Sequence, residues 1–264
     1  MRTSAAWWLR ILLAGARVQL SRGRGGNFLL AAVVTPVFYA VVLVLMARYF
    51  GRTSELAPFL VVSPALIGVW AGAILTGAEA VADERGSGTF ELLIAAPAPT
   101  ELVVLGRVGT NTLLSLIAIP LVVITGQLLG AQLAIVDVFA AVLALLGLAI
   151  STMAITLIFA STFVLARTTR VFQNVIGFPL YILSGIAFPL ALLPDWAQVL
   201  STLVALRWVG ELLRAAIRGD SAGVLVPALT AIATLALLYG ASGHWLFSRI
   251  ERAVRANGQV SLGQ

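Results

Sequence analysis

Residues 138–166 read VFAAVLALLGLAISTMAITLIFASTFVLA, with Asp137 immediately before and Arg167 immediately after. A helix needs about 20 mostly apolar residues to cross roughly 30 Å of hydrocarbon, and this run exceeds that without one charge. Five further charge-free stretches flank it: Gly25–Ala47, Leu56–Ala78, Val108–Val136, Val171–Pro194 and Ser221–Ser248. A transmembrane barrel would alternate polar and apolar residues in segments of about ten, which none of these does. The fold class that follows is an all-α polytopic membrane protein with six transmembrane helices. The predicted spans are 28–47, 57–78, 105–129, 138–165, 173–190 and 222–246, and together they make one transmembrane domain over 1–264.

Composition agrees. Of 264 residues, 60% are hydrophobic and only 11% charged, where soluble domains run nearer half and a quarter. The mean hydropathy is +1.03. All 17 basic residues are arginine, which reads as a compositional bias. A net charge of +6 would suggest nucleic acid in a soluble chain; here arginines flanking the spans meet lipid head groups and set orientation. With the N-terminus inside, twelve arginines fall on that side and five (Arg48, Arg52, Arg207, Arg214 and Arg218) on the other. The positive-inside rule therefore predicts both termini in the cytoplasm. No cleavable signal peptide is evident, since Arg10 breaks the first apolar run.

Outward from the spans, residues 3–24 read as an interfacial helix. Arg10, Arg17 and Arg24 recur every seven residues and share a face, while Trp7 and Trp8 suit the membrane–water boundary. Pro36 in span one is expected to kink it. Between spans two and three, residues 79–101 hold five of the eleven acidic residues. After Gly86 and Gly88, Ser87 or Thr89 can cap a short helix that Pro97 and Pro99 stop. This predicts a compact amphipathic knuckle showing Phe90, Leu93 and Ile94 beside carboxylates. The hydroxyls of span four (Ser151, Thr152, Thr156, Ser161 and Thr162) read as close helix packing, with a polar substrate-facing stripe as the alternative. Residues 195–220 are apolar but too short and too charged to cross, and predict an outer segment that re-enters the leaflet or lies along it.

The chemistry that is missing narrows the function. Lysine is absent and so is a phosphate-binding loop, which excludes a conventional P-loop ATPase. There is no cysteine, and the lone His244 suits an interfacial or packing role; no metal site is expected. No ionisable residue lies mid-span, where ion-driven carriers usually keep one. A transporter of this kind needs energy from a partner.

Three motifs carry a family resemblance. Glu84-Arg85-Gly86-Ser87-Gly88-Thr89-Phe90-Glu91-Leu92-Leu93 with Ala96-Pro97 follows span two. Ser184-Gly185-Ile186-Ala187-Phe188-Pro189 with Pro194 closes span five, and Leu212-Leu213-Arg214-Ala215 lies in the outer segment. Together they resemble the membrane-spanning permeases of ABC-2 type transporters, in particular those of bacterial drug, antibiotic and polysaccharide exporters. The chain departs from the pattern at Ala205-Leu206, where that family often has Asn-Pro.

The resemblance implies a non-catalytic permease subunit in the bacterial inner membrane. ATP and Mg would bind only a separate ABC ATPase, present as two copies or two homologues. A second permease chain, as homo- or heterodimer, and membrane lipids are the other expected partners; nucleic acid is not. Residues 3–24 would be the connecting helix, and Glu84, Arg85, Gly88, Thr89, Phe90, Glu91 and Leu93 would engage the ATPase. Phe188, Pro189, Pro194, Trp196 and Arg214 would form the outer gate. The cargo expected is an amphipathic drug-like molecule, with a lipid-linked glycan or lipid as the alternative. An ATP-independent carrier or a structural bundle is the rival from another class.

Overall fold

A computed structural model describes residues 5–22, 30–86, 100–131, 135–165, 177–187 and 189–257. Among these, regular structure is entirely helical. Helix α1 spans Ala5–Arg22. A π-helical turn at Leu30–Val34 leads into α2, Thr35–Tyr49. Then come α3 (Thr53–Gly86), α4 (Thr100–Ser115), α5 (Ala118–Leu128) and α6 (Val138–Leu165). A short helix α7 at 177–183 precedes α8 (Asp195–Ser201), α9 (Ala205–Arg218) and α10 (Ala222–Asn257).

Among the described residues, five segments are long and apolar enough to cross a membrane: Ala32–Tyr49, Leu56–Ile74, Thr100–Leu128, Val138–Thr162 and Ala222–Arg252. They correspond to predicted spans one to four and six. The predicted fifth span, 173–190, does not join them. Its first four residues and Phe188 lie outside the described residues, and the helix seen there is only seven residues long.

The spans differ from their predicted limits for local reasons. Helix α3 does not stop at residue 78 but continues to Gly86, because Glu79–Arg85 contains no glycine or proline to end it. The last helix likewise runs past 246 to Asn257. Span three is two helices, since Pro120 has no N–H for the carbonyl of Leu116, and the chain turns at residues 116–117. Pro36 sits in the first turn of α2, and the irregularity falls just before it: the Thr35 hydroxyl donates to the Leu30 carbonyl at 2.8 Å.

Helix α3 is the axis of the bundle. Its apolar window Leu56–Ile74 is 89% buried, against 22% for Ala222–Arg252 in α10. A helix enclosed on all sides must be apolar all round, and Val62, Leu66, Val69, Trp70 and Ile74 of α3 accordingly enter the largest core cluster. Gly68 and Gly72 let neighbours approach. A Cβ on Gly68 would stand 2.7 Å from Ala118 and from Pro36, and one on Gly72 would stand 2.7 Å from Ser115. This small-residue spacing draws α2 and the α4–α5 break onto α3 without a hydrophobic drive from water.

Several span-four hydroxyls face the interior of the bundle. Ser151, Thr156 and Ser161 are buried and donate to carbonyls four residues earlier in their own helix, at 2.7 Å each. Opposite the core, Phe38, Leu45, Ile117, Leu146, Ile150, Leu237 and Leu238 are exposed, as expected for faces turned to lipid.

Candidate functional site

The bundle has two ends. At one, α1, the start of α4 and the end of α10 come together; at the other lie the α2–α3 and α5–α6 turns and residues 185–221. Each predicted site falls at one of them.

The predicted coupling residues flank and fill the gap between α3 and α4. Glu84 and Arg85 occupy the last turn of α3. Gly88, Thr89, Phe90, Glu91 and Leu93 lie outside the described residues. What receives the chain after them is fixed. Both carboxylate oxygens of Glu101 lie 2.8 Å from Nδ1 of His244 on α10. One residue earlier, the Thr100 hydroxyl donates to Glu251 at 3.4 Å. His244 thus ties α10 to the start of α4, a pairing 143 residues apart that no local pattern announces.

Helix α1 is not only a surface helix. Arg10 and Arg17 share an exposed face and Trp8 is exposed, as the seven-residue spacing predicts. The opposite face docks on α4. A Cβ on Gly15 would fall 2.4 Å from the Val103 carbonyl oxygen, and one on Gly106 would fall 2.3 Å from that of Leu12. Each glycine therefore lets the other helix's backbone reach it. Beside this crossing Arg107 Nε donates to Gln19 Oε1 at 3.1 Å, with both residues buried. Sequence reading missed Gly15, Gln19 and Gly106, and took Arg107 for a topology-setting charge.

At the other end, Ser184-Gly185-Ile186 makes a turn. Gly185 has φ of +68°, and Ser184 and Ile186 are buried. Pro189, Pro194 and Trp196 are exposed. The 195–220 segment is two helices, and its backbone groups are largely satisfied within them. Helix α9 buries Leu206, Val209, Leu212, Ala215 and Ala216 against α3, α6 and α10. The departure at Ala205-Leu206 is structural: Leu206 is 2% exposed and belongs to the central core cluster.

Polar contacts lock this segment. Arg207 pairs with Glu211 at 3.0 Å, donates to the Gln198 carbonyl at 3.0 Å and contacts the Ser201 hydroxyl. Trp208 Nε1 donates to the Thr202 carbonyl at 3.0 Å. The N–H groups of Val136 and Asp137 both donate to the Ala216 carbonyl, joining the end of α9 to the start of α6. Asp137 caps α6 by accepting from the Ala140 N–H at 3.0 Å, and its other oxygen accepts from Ser221. Those bonds favour the ionised form, the Ala140 N–H most, and hold the carboxyl below its usual value.

Arg214 lies close under this framework. Its guanidinium folds against Gly210, 3.2 Å from where a Cβ would be, and its enclosed Nη1 has no hydrogen-bond partner. Burial lowers its pKa to about 10, with Glu211 opposing that shift and Arg218 adding to it, so it stays charged at neutral pH. Among the described residues, no cluster of His, Cys, Asp and Glu is able to hold a metal ion.

No curated protein matches the chain. A family model described as "ABC-2 type transporter" matches residues 10–217, from α1 through α9. The membrane-crossing helices, the docked N-terminal helix and the packed 195–220 segment all fall within or beside that match, well over half of the chain. The chain belongs to the ABC-2 type transporter family, as a membrane component of an ABC transporter whose family implies an ATPase partner.

Proposed function

We propose that this chain is the permease subunit of an ATP-driven exporter that moves an amphipathic small molecule out of a bacterial cell. Two such chains, each with an ABC ATPase subunit, form the transporter, with both termini cytoplasmic. ATP and Mg bind the ATPase alone. The knuckle seats Phe90 and Leu93 in an apolar groove of that subunit, while Glu84, Arg85 and Glu91 set its register through charge-assisted hydrogen bonds. Pro189, Pro194, Trp196 and Arg214 close the far side.

The observation that carries this reading is the path of α3. Its 34 residues extend about 50 Å at 1.5 Å per residue, from the knuckle at Gly86 through the centre of the bundle to Thr53 at the other end. A displacement of the knuckle is passed to the most enclosed helix of the molecule. On the other flank, α4 carries α1 with it through the Gly15–Gly106 crossing. Rigid-body rocking of packed helices is an established way for such a push to change access from one side to the other.

Phe90→Asp combined with Glu91→Arg tests the coupling role. In proteoliposomes holding the ATPase and this chain, the double variant is expected to lose ATP-dependent transport while its thermal unfolding stays that of the wild type. Undiminished transport in the double variant contradicts the assignment.

A further inference from the structure

At the end of the bundle away from α1, a half-open cavity of about 490 Å³ is lined by Leu56, Phe59, Leu190, Glu211, Arg214 and Arg218. Its size is that of a small-molecule site. The lining divides by chemistry, with guanidiniums from α9 on one side and large apolar side chains from α3 and the 189–191 segment on the other. The carboxylate that lines it, Glu211, is already bonded to Arg207 at 3.0 Å, and Arg218 Nε pairs with Asp220 at 3.2 Å. Arg214 is left with an enclosed nitrogen that bonds to nothing. Leaving a buried charged donor unmatched costs more than leaving a neutral one, so the arrangement calls for an anion.

A second groove, of about 350 Å³, shares Leu56 and Phe59 as a common wall. Leu43, Met46, Phe50 and Leu60 continue it along α2 and α3, and among the described residues Arg52 is the charged one that lines it. A polar cavity with an unsatisfied cation therefore adjoins an apolar trough.

We propose that the two form one binding site for an anionic amphiphile, its carboxylate or phosphate on Arg214 and Arg218 and its apolar chain along Leu56, Phe59 and Met46. Membrane phospholipid and a free amphiphilic acid present the same chemistry. The site stands on this chain alone and does not depend on coupling to an ATPase.

The test uses the full chain in a neutral maltoside detergent, with a dansyl-tagged undecanoate that carries its carboxylate at one end and its fluorophore at the other. Saturable, blue-shifted fluorescence is expected with wild type. Arg214→Gln should weaken binding about tenfold or more, the cost of one charged hydrogen bond. Arg218→Gln and Met46→Trp alter exposed positions that leave the core intact, and each should weaken it severalfold from opposite ends of the site. Phosphatidylglycerol should compete and phosphatidylcholine should not. Phosphatidylglycerol that co-purifies with wild type and is lost from Arg214→Gln identifies the ligand as resident lipid. Probe binding without co-purified lipid identifies it as a free amphiphile. Equal affinity in all four proteins, or equal competition by both lipids, overturns the site.

Discussion

Gly185 turns the chain with φ of +68°, and a Cβ there would stand 2.7 Å from Leu190 Cγ. Gly185→Ala is expected to destabilise the chain by about 1–2 kcal/mol for the left-handed backbone, with the clash added to it. Adding Leu190→Ala should recover the clash and leave the backbone share, which thermal unfolding of both variants and of Leu190→Ala alone can separate. Full recovery would show that the turn is unstrained.

Asp137 carries a pH signature. Its folded pKa lies below the ordinary 3.8, so its contribution is complete above that value and is lost as pH falls through the folded value. The melting-temperature gap between wild type and Asp137→Ala should be constant above about pH 5 and close as the pH falls below 3.8. A gap unchanged in acid would mean that the neutral carboxyl caps α6 equally well.

At the scale of elements, α1 and α4 behave as one body because two glycines remove the side chains between them. Gly106→Leu would drive a side chain into the Leu12 carbonyl and is expected to lift α1 from α4. Trypsin cleavage after the exposed Arg17 should then quicken severalfold in detergent, and an unchanged rate would mean that α1 is held by other contacts. None of this docking was legible in the sequence. Arg10 and Arg17 announced an amphipathic helix through their spacing, but Gly15 meets Val103 and Gly106 meets Leu12 from distant parts of the chain, and no local pattern encodes those meetings. Arg107 misled for a related reason: a guanidinium near a span end reads as an interfacial charge until Gln19 is seen beside it. The spans themselves were legible wherever charge was absent. Their ends were not, because Glu79–Arg85 is charged and yet helical. The core cluster likewise holds Leu206 and Ile186, which lie outside the five crossing segments found among the described residues.

At the scale of the whole molecule, one arrangement links these parts. The buried α3 runs from Gly86, among the proposed coupling residues, to the Arg214 cavity, and α6 and α10 present apolar faces outward. The family implies an ABC ATPase partner, which would supply the work. Within the motif that suggested this, Ser184-Gly185-Ile186 has a visible structural reason, while Gly88–Leu93 rests on sequence and family alone.

The central claim, that this chain takes its energy from an ABC ATPase seated on the knuckle, is tested most directly by purifying the tagged chain from its native membrane in mild detergent. The associated proteins are then identified by mass spectrometry, for wild type and for the Phe90→Asp, Glu91→Arg variant. The account predicts a P-loop ATPase in near-equal amount with wild type and its loss from the variant. Wild-type chain recovered without any ATPase, even after crosslinking in the membrane, would contradict it.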